Sequence, residues 1–173
     1  FADATYEMSN PVFNKMSDKN IDIVLLNNGG IRSIISKGNI SEKTAFELMP
    51  FENSIVVLEL NGLSIIKMID YLRKVKLQHP ISGLQITLNN DYSVNEVKIN
   101  GVSIENEKKY YVATTDYLLE GGDKMYFLAE TTKTTDINYK MRDILIDYFK
   151  KYDTLKLKSD NRFIRIKWIE KPF

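Results

Sequence analysis

Ile21-Asp22-Ile23-Val24-Leu25-Leu26 runs straight into Asn27-Asn28-Gly29-Gly30-Ile31-Arg32. The first half is rich in β-branched residues and nearly free of polar interruption, which predicts a buried strand. The second half stops it: two asparagines and two glycines favour a tight turn over continued pairing. Paired glycines also let backbone amides approach a ligand closely. An arginine at the end of such a loop supplies a planar charged fork suited to phosphate or ribose oxygens.

On the N-terminal side, apolar residues at Phe1, Ala4, Met8, Val12, Phe13 and Met16 predict a helix whose beginning is truncated and whose course is interrupted or redirected at Pro11. On the C-terminal side, Ser41 is placed to cap a helix from Glu42 to Met49, which Pro50 ends. Ser54 to Leu60 reads as a strand. Leu63, Ile66, Met68, Ile69 and Leu72 recur at helical spacing after Gly62. Leu84 to Leu88, Val94 to Ile99 and Val102 to Ile104 then suggest a meander, with Asn100-Gly101 as a tight turn. Tyr110 to Thr115 is a further strand that opens into a loop from Asp116 to Asp123. Asp136 is expected to cap a last helix whose apolar face holds Met141, Ile144, Leu145, Tyr148 and Phe149, and Phe163 to Ile166 closes as a strand. Helices interspersed with hairpin-like strand pairs predict an α+β domain with mixed β-sheet layers and flanking helices.

Composition narrows the function classes. A chain of 173 residues fits one domain, residues 1–173, and 43% hydrophobic content suffices for a core without staples. Twenty-four basic against 23 acidic residues leave a net charge of +1, too balanced to hold nucleic acid by its charge. The longest apolar runs fall far short of the ~20 residues a membrane span needs. Cysteine is absent, which removes thiol nucleophiles, thiolate metal sites and disulfides. A single histidine, His79, is too little for a two-metal hydrolase centre, and no G-x-S-x-G elbow accompanies it. Within Leu77-Gln78-His79-Pro80 it is expected in a surface or structural loop role. No catalytic or metal-ligating residue is assigned. The chain begins at Phe1 without an initiator methionine, so a processed product or fragment is expected, with any export signal upstream.

Three loops hold residues that a core does not obviously require: Asn27 to Arg32, Met49-Pro50-Phe51-Glu52-Asn53, and Tyr117 through Asp123. Together, NNGGIR, MPFEN, SGL at Ser82 to Leu84 and YLLEGGD resemble, in order and spacing, the C-terminal domain of 5'-nucleotidases. The likeness extends from about Phe1 to Ile166. It implies that Phe51 and Tyr117 hold a nucleotide base between two rings, where stacking is worth roughly 1–3 kcal/mol per base. It also implies that Asp123 accepts hydrogen bonds from ribose hydroxyls. Asn27 and Asn53 would bond base or sugar, Gly83 would allow close backbone approach, and Arg32 would face the phosphate. Two positions depart from the family pattern: Tyr117 stands where phenylalanine is usual, and Lys124 where glycine commonly follows the aspartate.

The same resemblance implies a separate metallophosphoesterase domain carrying a divalent metal pair, in the same chain or as a second subunit; its sequence is not among these residues. The ligand is expected to be a nucleotide or nucleoside, with purines favoured, and the setting periplasmic, cell-surface or secreted. This chain alone is expected to be inactive. The main alternative is a stand-alone nucleotide- or nucleoside-binding module without hydrolysis. A third possibility is an interaction protein that kept the fold and lost the pocket.

Overall fold

A computed structural model describes residues 1–75, 78–156 and 160–166. Among these, the order of elements is α1 (Ala2–Ser17), β1 (Ile23–Leu25), α2 (Glu42–Leu48), β2 (Ser54–Asn61), α3 (Gly62–Lys74), β3 (Ile81–Ser82), β4 (Leu84–Leu88), β5 (Val94–Ile99), β6 (Val102–Ser103), β7 (Lys109–Thr115), α4 (Asp116–Leu119), β8 (Lys133–Lys140), α5 (Met141–Lys151) and β9 (Phe163–Arg165). The strands form two mixed sheets, ordered β3-β1-β7-β2-β8 and β6-β5-β4-β9. The fold is α+β, as the interspersed pattern predicts.

β1 is fully buried because it lies inside its sheet, parallel to β7 on one side and antiparallel to β3 on the other. Its alternating side chains feed two cores. Ile23 and Leu25 join Val56, Leu58 and Leu60 of β2, the inner face of α3 and the second sheet. Val24 joins Ile55 and Val57 of β2 with Phe13, Leu48, Ile144 and Leu145 from α1, α2 and α5. The five-stranded sheet is therefore a middle layer, which explains why β1 and β2 carry apolar residues on both faces.

The chain passes from one sheet to the other at Gly83, between β3 and β4. Its φ is +75°, and a Cβ placed there would sit 2.0 Å from the Asp22 carbonyl oxygen. Only glycine fits both constraints.

Several local expectations are corrected. α1 continues through Pro11 instead of being interrupted, because Pro11 lies on its exposed side, where water can serve the carbonyl that proline leaves unbonded. On α3, Ile65, Met68, Ile69 and Leu72 are buried, whereas Leu63 and Ile66 are about half exposed (46% and 45%). Asp136 does not cap a helix. It sits in β8, where its carboxylate accepts from the Asn138 amide at 2.7 Å, and α5 begins only at Met141 with Lys140 as its N-cap. Thr134 and Thr135 pair with Leu58 and Val57, so tertiary pairing outweighs the capping signal. The segment expected as a loop after β7 is helical at Asp116–Leu119 and forms a 3-10 turn at Gly122–Lys124. Leu77 lies outside the described residues.

Gly83→Ala is expected to lower unfolding free energy by about 2 kcal/mol or more, since positive φ and steric overlap add. An unchanged urea midpoint would show that the crossing between sheets tolerates a side chain.

Candidate functional site

Strand direction assembles the site. β1 and β7 run parallel, so their C-terminal ends lie at the same edge of the sheet. β2 runs antiparallel to β7, so its N-terminal end lies there too. The loop after β1, the loop before β2 and the segment after β7 therefore converge, although far apart in sequence. One direct contact joins two of them: the Asp116 carboxylate accepts from the Ser54 amide at 3.1 Å and from the Tyr117 amide at 2.7 Å.

At this edge a cleft of about 220 Å³ is lined by Asn27, Gly29, Arg32, Phe51, Asn53, Tyr117 and Asp123. Six of the seven residues named from sequence thus meet in one place. Gly83 does not. It lies beside Asp22, at the opposite end of β1 from Asn27, and its tightness serves the crossing between sheets.

Each side chain has its own support. Asn27 is buried, and its side chain folds over the 3-10 turn Asn28–Gly30; a Cβ on Gly30 would lie 3.0 Å from its Oδ1. The Arg32 amide donates to the Leu48 carbonyl at 3.0 Å, and its guanidinium lies 5.0 Å from the centre of the Phe51 ring. Phe51 is 37% exposed and Tyr117 42%, so part of each ring is open to a ligand in the cleft. Behind Phe51, Arg142 donates to the Pro50 carbonyl at 3.3 Å and pairs with Glu52, while the Met141 amide donates to the Asn53 carbonyl at 2.9 Å.

Gly122 decides where Tyr117 lies. A Cβ there would sit 2.5 Å from Cε1 of the ring, so the ring rests against bare backbone. Its hydroxyl donates to Asp123 Oδ1 at 3.2 Å, which leaves the second carboxylate oxygen free of that bond. Asp123 and Lys124 have φ of 50° and 60°. A left-handed residue at position 124 gives a physical reason for the glycine usual there, and Lys124 carries a strain of roughly 1–2 kcal/mol.

Under the cleft, Tyr71 of α3 donates from its hydroxyl to the Asp123 carbonyl at 2.8 Å. His79 Nδ1 accepts from the Asn28 amide at 3.2 Å. The histidine is structural and only 9% exposed, so the surface half of the expectation is corrected. Burial pushes its imidazole below the ordinary value of 6.5, with the charge of Asp123 and a hydrogen bond with the Leu26 backbone opposing. Gly29 belongs to the paired glycines expected to approach a ligand, but Asp116, Tyr71 and Arg142 were not named as site residues. Asp116 was visible as an acidic residue at a strand end, whereas nothing local marks Tyr71 or Arg142.

A second, larger groove of about 450 Å³ lies between α3 and β5. It is mostly apolar, and its Arg73 is already bonded to Asp70 at 2.8 Å through Nε, so convergent polar groups for a ligand are found in the first cleft instead. Among the described residues, no group of three or more His, Cys, Asp or Glu is arranged to hold a metal ion.

Comparison with known proteins places the chain. The family model for the 5'-nucleotidase C-terminal domain matches residues 1–130, and the chain belongs to that family. It is 32% identical over 115 residues to Protein UshA of Escherichia coli K12, covering 63% of this chain and 20% of UshA. It is 33% identical over 143 residues to the trifunctional nucleotide phosphoesterase protein YfkN of Bacillus subtilis 168, covering 75% of this chain and 10% of YfkN. The fold matches the crystal structure of a 5'-nucleotidase precursor from Thermus thermophilus with a TM-score of 0.81 at 22% identity, over 97% of this chain and 35% of that one. The chain thus spans little more than a third, or less, of each of these relatives.

Protonated His79 cannot accept the Asn28 amide. Its folded pKa lies below its unfolded one, so the stability it contributes is present above about pH 6.5 and is lost as pH falls through the lowered value. Urea midpoints at pH 7.5 and 5.5 should therefore fall in the native protein and converge in His79→Leu; an equal fall in both would assign the pH dependence to other groups.

Proposed function

We propose that this chain is the substrate-recognition domain of a nucleotide phosphohydrolase. The base lies between Phe51 and Tyr117, the ribose hydroxyls meet Asp123, Asn27 and Asn53 bond base or sugar, and Arg32 faces the phosphate. The observation that carries the proposal is the convergence of these six residues, from three separated loops, on one cleft. Family membership and the phosphoesterase and nucleotidase names of the relatives support it.

Magnitudes favour the base over the contact it disturbs. Arg32 on the exposed Phe51 ring is worth about 0.5–1 kcal/mol, whereas a stacked base contributes roughly 1–3 kcal/mol. A base that needs the face under Arg32 can therefore displace the guanidinium, which then becomes available to an anionic group. A ring has a face for every base, so the stack tolerates several, with purines favoured for their larger area. Asp123, accepting from vicinal hydroxyls, makes deoxynucleotides weaker ligands.

Residues 1–173 act in this scheme as one recognition domain. Hydrolysis belongs to a metallophosphoesterase domain, in the same protein or as a partner subunit, which holds the divalent metal pair. The residues described here do not fit such a pair: the chain has one histidine, and that histidine is turned to the Asn28 amide. An extracytoplasmic setting is part of the same proposal.

Phe51→Ala and Tyr117→Ala are each expected to weaken AMP or adenosine binding roughly tenfold in calorimetric titration, the equivalent of one stacked base at the low end, with little change in melting temperature. Unchanged affinity in both would reject the sandwich. Incubated with AMP and divalent cations, this chain should release no phosphate above background, and steady turnover would overturn the assignment of hydrolysis to a separate domain.

A further inference from the structure

We propose that Tyr71 and His79 form an aromatic strut beneath the cleft that holds the Asp123 turn and the Asn27–Gly30 turn in register. Tyr71 is then a positioning residue for the ligand. The positioning role rests on the nucleotide reading; the strut itself does not.

Neither residue lines the cleft, yet Tyr71 is bonded to the backbone of Asp123, which does, and His79 to that of Asn28, which stands between the lining residues Asn27 and Gly29. The Tyr71 hydroxyl donates to the Asp123 carbonyl at 2.8 Å. The Tyr71 ring lies 5.7 Å from the His79 imidazole and 5.6 Å from the Phe127 ring, centre to centre. His79 Nδ1 then accepts the Asn28 amide at 3.2 Å, and the Asn28 side chain donates to the Gln78 carbonyl at 3.3 Å. The chain of contacts therefore runs from Asp123, in the cleft, through two rings to Asn28, in the turn that carries the lining residues Asn27 and Gly29.

The Asp123 end needs such support. Its φ of 50° lies in the left-handed region, which aspartate tolerates better than most residues but which is uncommon outside glycine, and neighbouring bonds help to fix it. Gly122 gives no side chain to hold the turn, since its bare backbone is what admits the Tyr117 ring. The Tyr71 hydroxyl is the hydrogen bond that fixes the Asp123 carbonyl, and through it the direction in which the carboxylate leaves the backbone. Without that bond the turn keeps only the Lys124 amide on the Gly121 carbonyl and the Met125 amide on the Gly122 carbonyl, both at 3.1 Å, and the setting of the carboxylate beside Tyr117 loosens.

Two variants separate the parts. Tyr71→Phe keeps the ring contacts and removes only the donor. His79→Ala removes the middle of the strut while leaving Tyr71 and Asp123 intact. Amide hydrogen exchange on ligand-free protein, referenced to Leu58 in β2, is expected to quicken several-fold at Lys124 and Met125 in both variants, and at Asn28 in His79→Ala. Exchange at Lys124 and Met125 that stays native in His79→Ala would show the two turns to be held independently and would overturn the strut.

Titration with adenosine and 2',3'-dideoxyadenosine then tests the positioning role. Tyr71→Phe should weaken adenosine about fivefold, the effect of one lost hydrogen bond, and change the dideoxy analogue less than about twofold. Equal losses for both ligands, or none, would remove Tyr71 from the site's machinery. If the native protein binds neither nucleoside, the nucleotide reading fails and takes the positioning role with it, while the exchange data still decide whether the strut exists.

Discussion

The parallel pairing of β1 with β7 is the constraint on which the rest depends. It fixes which ends of the strands share an edge, and with β2 antiparallel to β7 it brings three loops to that edge. Reversing the first pairing would send Asn27 or Tyr117 to the far side of the sheet, and reversing the second would send Phe51 and Asn53 there. The pairing is itself held by burial, since β1 is covered by helices on one face and by α3 and the second sheet on the other. Apolar burial of this extent is what offsets the entropy of joining strands so distant in sequence.

Rigid strands alone would leave the cleft loosely defined, because its side chains sit on the segments between them. Short, specific contacts make up the difference. Asp116 ties the start of β2 to the turn beyond β7. Arg142 and the Met141 amide anchor the loop of Phe51 and Asn53 to the start of α5. Gly122 lets the Tyr117 ring lie against the backbone. The result is a pair of partly exposed rings whose loops are held largely by groups outside the cleft lining.

Much of this was legible in the chain. The uninterrupted apolar run at Ile21 to Leu26 gave away a buried strand, and the Asn-Asn-Gly-Gly, Pro-Phe-Glu-Asn and Gly-Gly-Asp turns marked the three loops of the cleft. What failed depended on distant partners. Asp136 carries a capping residue's chemistry, yet β2 claims its segment as an edge strand. Leu63 and Ile66 keep helical spacing, but the sheet beneath α3 reaches only Ile65, Met68, Ile69 and Leu72. Gly83 sits in one of the four motifs that carry the resemblance, although its own constraint is the carbonyl of Asp22, just before β1. Tyr71 and Arg142 act through bonds to residues about fifty and ninety positions away, a separation at which local pattern carries no signal.

The burial of β1 also has a consequence for synthesis. Val24 finds its antiparallel partner at Ser82 and its parallel partner only at Ala113. While the ribosome supplies the residues between, Ile21 to Leu26 waits as a nearly uncharged, β-prone hexapeptide with both edges unpaired, the composition that favours cross-β association between chains. The segment that anchors the finished sheet is thus also one that is open to pairing between chains before the sheet exists.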